Sequence, residues 1–537
     1  MYSDKENVNI LSSLLPQAGV KDVVVCPGSR NGVLVHNFER MVADGSGEDF
    51  HIYPVTDERS AAFVAVGICL ARQCRPVAVC VTSGSALLGT LPAVAEAYYR
   101  HLPLLVISAD RPARWVGQLD GQTLPQVGAL SPYCRTFDLP EPHNADEGLW
   151  CRDVACEALT SLRAGGGRPV HINVPITEPL FSFSTPSLPA CKMVESIWPS
   201  PVRPFPAALV RRICGARLPV LLIGQCAATL PELSEIESKN ALLVLPEIVS
   251  NQSGSWRTAL LEEQPALLEE LQPDLVIHVG GNLVNKQLKL FLRKSEDCAV
   301  IRLEPGDGMP DTFARLETIV HCDLKDVLPQ LVAELTPNES VKAAKRRLLD
   351  ARALSEPAGD VQTELMRLLA GYMAHNGVNL SALHLGNSTV VRSATKCFDG
   401  GTFPIHCNRG VNGIEGSLSV AVGHALASDG INLLLIGDLS FFYDQNALWN
   451  KSLDGNLRIL LFNNGGGRIF DRLPGVSASP AHHDYIAGFH HTSARGIAES
   501  YGLRYIPATT VTEAAAKFDE LLTPGGERPV LLEFFVP

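Results

Sequence analysis

The chain has 537 residues and a formal net charge of −12, with 46% hydrophobic and 19% charged residues. The acidic balance excludes a general nucleic-acid or anionic-membrane binder, which needs a basic face, and the composition is that of a folded protein. At ~100–200 residues per domain, three domains are expected. Fourteen cysteines are scattered without a CxxC pair, and close pairs such as Cys151 and Cys156 fit neither a zinc knuckle nor a redox motif. Free thiols in a reducing cytoplasm are therefore expected. The polar start MYSDKENVNI has no secretory pattern. Apolar runs such as SAAFVAVGICLA are too short to span a bilayer, so no membrane insertion is expected.

In chain order, DVVVCPGSR, PVAVCVTSGSA and LPLLVISADRP read as short apolar strands, each closed by a polar turn. YPVTDERSAAFVAVGICLA holds a helix start, with Thr56 or Asp57 as the cap and Glu58 in the first turn, where the helix dipole favours an acid. LLGTLPAVAEAYY is a further helix. Ser182 to Pro206 is dense in Pro and Ser and reads as a linker. A second series has strands in LPVLLIGQCA, ALLVLPEIV, PDLVIHVGGNL and CAVIRLEP, and closes with the charged helical stretch NESVKAAKRRLLDARALSE, read as a connector. A third series starts near Gly359, with strands in ALHLGNS, INLLLIGDLS, RILLFNNGGG and PVLLEFF. Short Val/Ile/Leu strands between helices imply parallel sheets covered on both faces. The expected fold is α/β, three doubly wound parallel-sheet domains at 1–182, 204–340 and 359–537. The first and third series are alike in plan, and no residue-level repeat is read between them.

The densest chemistry lies in INLLLIGDLSFFYDQNALWNKSLDGNLRILLFNNGGGRIF. One strand ends at Gly437-Asp438 and the next at Asn463-Asn464, with room between them for one crossover helix. Ligands of parallel α/β sheets sit at that carboxyl edge. A carboxylate, an amide oxygen and a backbone carbonyl are hard ligands suited to Mg²⁺ shared with substrate phosphates. Gly465-Gly466-Gly467 lets a phosphate or a pyrimidine approach the backbone. His482-His483 and His490-His491 match no ligand spacing and read as loop.

The Gly-Asp pair followed one crossover later by Asn resembles the signature of thiamine-diphosphate-dependent enzymes. Those enzymes have a pyrimidine-binding, a central and a diphosphate-binding domain, in the order of the three series here. This chain has Leu439-Ser440 where that family usually continues with Gly. Within the family, PGSR (27–30), TDER (56–59), TSG (82–84), ADRP (109–112), GNSTVVR (386–392), NRGVNGIEG (408–416), GDLS (437–440) and NNGGGRIF (463–470) resemble the synthases of menaquinone biosynthesis. The resemblance is close in both outer domains and thin from Pro204 to Leu354.

The resemblance implies thiamine diphosphate with Mg²⁺, or Mn²⁺, as cofactors. It also implies a carboligase that decarboxylates 2-oxoglutarate and adds the remaining succinyl unit to isochorismate in a 1,4 sense. Glu58 becomes the catalytic acid at the cofactor pyrimidine. Cofactor contacts fall to Glu58, Ile414, Asp438, Leu439, Ser440, Asn464, Gly466 and Ile469, with Asp438, Asn464 and the Gly466 carbonyl on the metal. Substrate contacts fall to Ser29, Arg30, Gln122, Lys286, Ser388, Arg392, Arg409, Phe470 and Leu473. The arginines suit bidentate recognition of carboxylates. Gln287 stands where the family has Arg beside Lys286. The resemblance also implies an active site shared between two chains, hence a homodimer at minimum, with a homotetramer open. An acetolactate-synthase-like or 2-oxo-acid-decarboxylase relative stays open at this point. So does a non-catalytic nucleotide-binding regulator, although no G-x-G-x-x-G follows a strand.

Overall fold

The computed structural model describes residues 1–47, 49–194, 204–354 and 359–536. Three sheets follow one another along the chain, and every strand pairing in them is parallel. The first comprises β1 (Asp22–Val25), β2 (His51–Pro54), β3 (Val77–Val81), β4 (Leu104–Asp110), β5 (Arg135–Asp138) and β6 (Val170–Pro175), in the order β2-β1-β3-β4-β6-β5. The second comprises β7 (Pro219–Ile223), β8 (Leu243–Pro246), β9 (Leu275–Val279), β10 (Ala299–Glu304) and β11 (Leu316–His321), in the order β11-β10-β9-β7-β8. The third comprises β12 (Ala382–Leu385), β13 (Ile405–Cys407), β14 (Asn432–Gly437), β15 (Leu457–Asn463), β16 (Arg504–Ala508) and β17 (Val530–Phe535), in the order β13-β12-β14-β15-β17-β16. Counted from its own first strand, the third sheet repeats the order of the first.

The central strands are buried and mostly apolar, as sheets covered on both faces require. In each outer sheet the strand order reverses between the first and third strands (β1/β3 and β12/β14), and that switch point is where such sheets bind ligands.

The two outer layers meet through the helices Glu58–Ala71 and Ser417–Leu426. Their apolar side chains, among them Phe63, Val64, Val66, Val420 and Val422, belong to one continuous core with Leu434 and Phe441. The crossing is reciprocal. A Cβ on Gly67 would lie 2.1 Å from the Val420 carbonyl oxygen, and one on Gly423 would lie 2.0 Å from that of Val64. Both glycines close the same tetrapeptide, Val-Ala-Val-Gly, at 64–67 and 420–423. This corrects the expectation that the two series share no residue-level repeat.

Two connecting segments also differ from their sequence reading. The start of the Pro/Ser-rich linker does not hang free: Thr185 bridges Tyr2, Asp4 N donates to Ser182 O, and Gln17 bonds Cys191 O. Its part at 195–203 lies outside the described residues. The charged helix Glu339–Leu354 does lead towards the third sheet, yet it is no mere spacer. Val341, Ala344, Leu348 and Ala351, at helical spacing, pack into the core of the second sheet.

Candidate active site

β14 and β15 are neighbours, with Gly437 opposite Phe462, so their carboxyl ends deliver Asp438 and Asn464 to one point. Asp438 is buried. Its Oδ1 accepts from Leu439 N at 2.6 Å, and its Oδ2 accepts from Asn464 N and Gly466 N at 3.0 Å each. His490 Nε2 lies 3.5 Å from the same Oδ2. Burial raises the Asp438 pKa above its ordinary value, against the pull of these amides. Gly465 and Gly466 take φ of 75° and 149°, and a Cβ on Gly466 would meet Phe489 at 2.8 Å. Only glycine lets this loop fold back over the carboxylate.

The end of the Asn464 side chain lies 3.3 Å from Asp438 Oδ2 and 2.6 Å from the Gly466 carbonyl oxygen. With its NH₂ turned inward, the amide donates to both. With its oxygen turned inward, three acceptor oxygens face one another and only a cation reconciles them. Adjacent ligands of an octahedral Mg²⁺ lie ~3 Å apart, given metal–oxygen distances of about 2.1 Å, so this donor set fits a hard divalent ion.

Beside this edge a cavity of ≈ 600 Å³ opens. Lys286, Gln287, Arg392, Ile469, Phe470 and Leu473 line it, joined by polar groups of the helices starting at Val361 and Thr389 and by Lys396. Its lining combines the cations Lys286, Arg392 and Lys396 with the apolar Ile469, Phe470 and Leu473. Ser388 introduces the helix Thr389–Ala394 with φ 72° and ψ −124°, a strained conformation for a non-glycine residue, and accepts from Arg392 Nη1 through its carbonyl at 2.5 Å.

Arg409 is buried behind this wall. Its Nη1 donates to Asn387 Oδ1 (3.2 Å) and its Nη2 to Leu283 O (3.1 Å), the same carbonyl that accepts from Lys289 Nζ at 3.0 Å. Burial and the neighbouring Arg409 charge lower the pKa values of both Arg392 and Lys289. Glu247 faces this group from the loop after β8. It accepts from Asn285 N at 2.9 Å, and burial pushes its pKa up to about 7. Arg392, Arg409 and Lys289 crowd one another, with Glu247 and Glu262 as the acids near them, so a bound carboxylate here would relieve repulsion.

The first sheet's edge carries Ser29, Arg30, Glu58 and Gln122, and none of them, nor Ile414 in the loop after β13, lines this cavity. Arg30 is buried and donates to Ile176 O and Glu178 Oε1, both at 2.9 Å, while Ser29 is exposed. Gln122, with φ 56°, is exposed and packs its backbone over Gly84 beyond β3. Asp57 caps the following helix, accepting from Arg59 N (2.9 Å) and Ser60 N (3.2 Å). Glu58 is half-buried above Gly89, and its carboxylate has no hydrogen bond among the described residues. Ile414 is 39% exposed.

Sequence reasoning missed Lys289, Glu247 and Asn387. Lys289 lies one helical turn beyond Lys286, on the same face. Glu247 follows a strand at a carboxyl edge, where the ligand rule for parallel sheets points. Asn387 sits inside a quoted motif; its Nδ2 donates to the carbonyls of Asn408 and Gly413 at 2.7 Å each and so shapes the Arg409 loop.

The paired doubly wound layers and the Asp438–Asn464 edge define a thiamine-diphosphate-dependent enzyme. Residues 6–129 match the family described as "Thiamine pyrophosphate enzyme, N-terminal TPP binding domain". The chain is similar over its whole length to proteins named 2-succinyl-5-enolpyruvyl-6-hydroxy-3-cyclohexene-1-carboxylate synthase. It is 39% identical to that of Bacteroides fragilis (100% of this chain, 97% of the relative) and 38% identical to that of Bacteroides thetaiotaomicron (100% and 96%). It is 35% identical to that of Desulfotalea psychrophila (99% and 98%). The chain belongs to this synthase family.

Proposed function

We propose that the chain decarboxylates 2-oxoglutarate and adds the succinyl unit to isochorismate in a 1,4 sense, giving 2-succinyl-5-enolpyruvyl-6-hydroxy-3-cyclohexene-1-carboxylate for menaquinone. The observation that carries this reading is the ≈ 600 Å³ cavity lined by Lys286 and Arg392 together with Ile469, Phe470 and Leu473. Both substrates are polyanions with an apolar body, and this wall offers each part a partner.

Thiamine diphosphate, when bound, supplies the nucleophilic thiazolium carbon on which a 2-oxo acid loses CO₂. Asp438, Asn464 and the Gly466 carbonyl would hold Mg²⁺, or Mn²⁺, with its diphosphate, and Leu439 and Ser440 would border it. Ile414 and Ile469 would pack against it. Glu58 holds a proton at the pyrimidine ring nitrogen, a role for which its unpaired carboxylate is free. Ser388, Arg392 and Arg409 take substrate carboxylates, with Lys286 at the acceptor and Phe470 and Leu473 walling off water. Ser29, Arg30 and Gln122 face isochorismate from the first sheet's edge. In this reading each site pairs one chain's first edge with its partner's third, so the working unit is at least a homodimer. All fourteen cysteines are free, in keeping with work in the reducing cytoplasm. No helix among the described residues is long and apolar enough to cross a membrane.

The test supplies 2-oxoglutarate with isochorismate, then pyruvate alone, and follows CO₂ and product mass. Product from the first pair and none from pyruvate supports the reading. Turnover of pyruvate alone overturns it. Calorimetry with thiamine diphosphate and Mg²⁺ tests the cofactor sites separately.

A further inference from the structure

We propose that Glu96 is a positioning residue: from the first sheet's layer it pins the loop that carries Arg409 in the third. The inference rests on the reading of Arg409 as a substrate-carboxylate ligand.

Glu96 lies on the helix Leu91–Tyr99, between β3 and β4, and is fully buried. Its Oε1 accepts from Gly410 N at 3.0 Å and its Oε2 from Val411 N at 2.9 Å. Each carboxylate oxygen thus takes one of the two amides that directly follow Arg409. The nearest cation is Arg100, one turn along the same helix, with Nη1 3.7 Å from Glu96 Oε1. Glu415, in the clamped loop itself, adds a like charge nearby. Burial raises the Glu96 pKa, while Arg100 and the two amides lower it. A buried carboxylate stripped of its donors is heavily penalised, so the loop cannot move off without stranding the charge.

The loop is built for this contact. A Cβ on Gly410 would sit 2.7 Å from Glu96 Oε2 and 2.8 Å from Glu96 O, so no larger residue fits under the carboxylate. On its other side the Arg409 guanidinium bonds Asn387 Oδ1 and Leu283 O. The arginine is therefore held between three layers: Glu96 fixes its backbone, Asn387 and Leu283 aim its head. None of the other residues assigned to the site reaches this backbone from the first layer. A fixed loop lets Arg409 meet a carboxylate without first being ordered, and that acts on substrate affinity more than on the chemical step.

The test uses the full-length enzyme with Mg²⁺ and thiamine diphosphate. Wild type, Glu96→Gln, Gly410→Ala, Arg409→Ala and Glu96→Gln/Arg409→Ala are compared. Steady-state kinetics for both substrates, hydrogen exchange of the 408–414 segment and thermal melting are measured on each. Glu96→Gln keeps shape but turns one accepting oxygen into a donor facing an amide. It is expected to raise, roughly tenfold, whichever KM Arg409→Ala raises, which is about 1.4 kcal/mol. Its kcat stays within about threefold of wild type, and the Gly410 and Val411 amides exchange faster. Gly410→Ala reproduces the pattern with no charge removed. The double variant shows the KM of Arg409→Ala and no more. If Glu96→Gln does not fold, Glu96→Asp, one methylene short, replaces it. Wild-type KM values in Glu96→Gln and Gly410→Ala, beside a raised KM in Arg409→Ala, overturn the clamp while the role of Arg409 stands. So does full additivity in the double variant. Unchanged KM values in Arg409→Ala overturn the parent reading instead, and the clamp with it.

Discussion

The two outer sheets share a strand order, a switch point and a reciprocal helix crossing, yet their carboxyl edges carry different chemistry. In the third, Asp438 is tied down by three amides, and the Asn464 side-chain end lies 3.3 Å from its Oδ2 and 2.6 Å from the Gly466 carbonyl oxygen. In the first, Glu58 carries no hydrogen bond among the described residues, while its neighbour Asp57 takes the structural duty of the cap. On the reading proposed above, one scaffold thus provides a fixed charge for a metal and a free acid for a proton. The difference comes from turn residues alone, since the sheets beneath are interchangeable in plan.

The largest expected effect comes from exchanging that acid. Glu58→Gln should fold and bind thiamine diphosphate with wild-type affinity by calorimetry, yet lose ~10²–10⁴-fold in turnover, the usual contribution of a positioned acid or base. Asp438→Asn should show the opposite pattern, with cofactor affinity in Mg²⁺ falling ~100-fold and Mg²⁺ no longer promoting binding. Near-normal turnover in Glu58→Gln would return Glu58 to a helix end and erase the division of labour between the two edges.

Next in size is the crossing that joins the halves. Gly67→Ala and Gly423→Ala each drive a methyl group against a backbone carbonyl, so each should destabilise by about 1–3 kcal/mol, as overpacking does. The two variants should lower the urea midpoint by similar amounts. A large loss in one and none in the other would show that the symmetry is geometric but not energetic.

This crossing also marks what the sequence hid. The buried central strands and the Gly-Asp to Asn-Asn-Gly edge were legible, because long apolar runs and Gly-rich turns are strong local signals. The repeat Val-Ala-Val-Gly was not, since four small residues in a buried helix look like any other core segment until their partner is known. The strands β2, β5, β11 and β16 escaped because they are edge strands with exposed, polar positions. β6 escaped for another reason. It is an interior strand carrying His171 and Asn173, whose polar groups are satisfied by Ser108, Gln126, Asp110 and Asp138. At the site, the cations Lys286 and Arg392 were recognisable from motifs. The acid that balances their neighbours, Glu247, comes from the layer where the resemblance is thinnest.

Glu247 gives the central layer its own test. Its pKa is pushed up to about 7 by burial, against about 4.3 for a free glutamate. Folding therefore takes up a proton between those values. The associated stability is fully present at low pH and is lost as pH rises through about 7. The stability of wild type relative to Glu247→Gln should fall from pH 5 to pH 8, read by urea unfolding at each pH. Substrate binding should respond too. Once ionised, Glu247 competes for Arg409 and Lys289, so the KM of the anion bound there should rise severalfold above pH 7 and stay flat in Glu247→Gln. A wild-type KM flat from pH 6 to 8 would remove Glu247 from the site.

The smallest effect returns to the helix start of the first edge. Asp57 Oδ1 accepts from the amides of Arg59 and Ser60, and Oδ2 accepts from Asn446 Nδ2 at 2.7 Å, in the segment that follows the Asp438 helix. Asp57→Ala should therefore lose a cap, worth ~1 kcal/mol, together with a bridge between the two outer layers. Asp57→Ser keeps the cap and drops only the bridge, so its melting temperature should lie between those of wild type and Asp57→Ala. Asn446→Ala should match Asp57→Ser, since each removes the same bond from opposite ends. All three should turn over within about twofold of wild type, because the chemical task is proposed for Glu58 and not for them. A turnover loss in Asp57→Ser comparable to that of Glu58→Gln would mean that the bridge, through the set of the helix, aims Glu58, and that the two acids act as one unit.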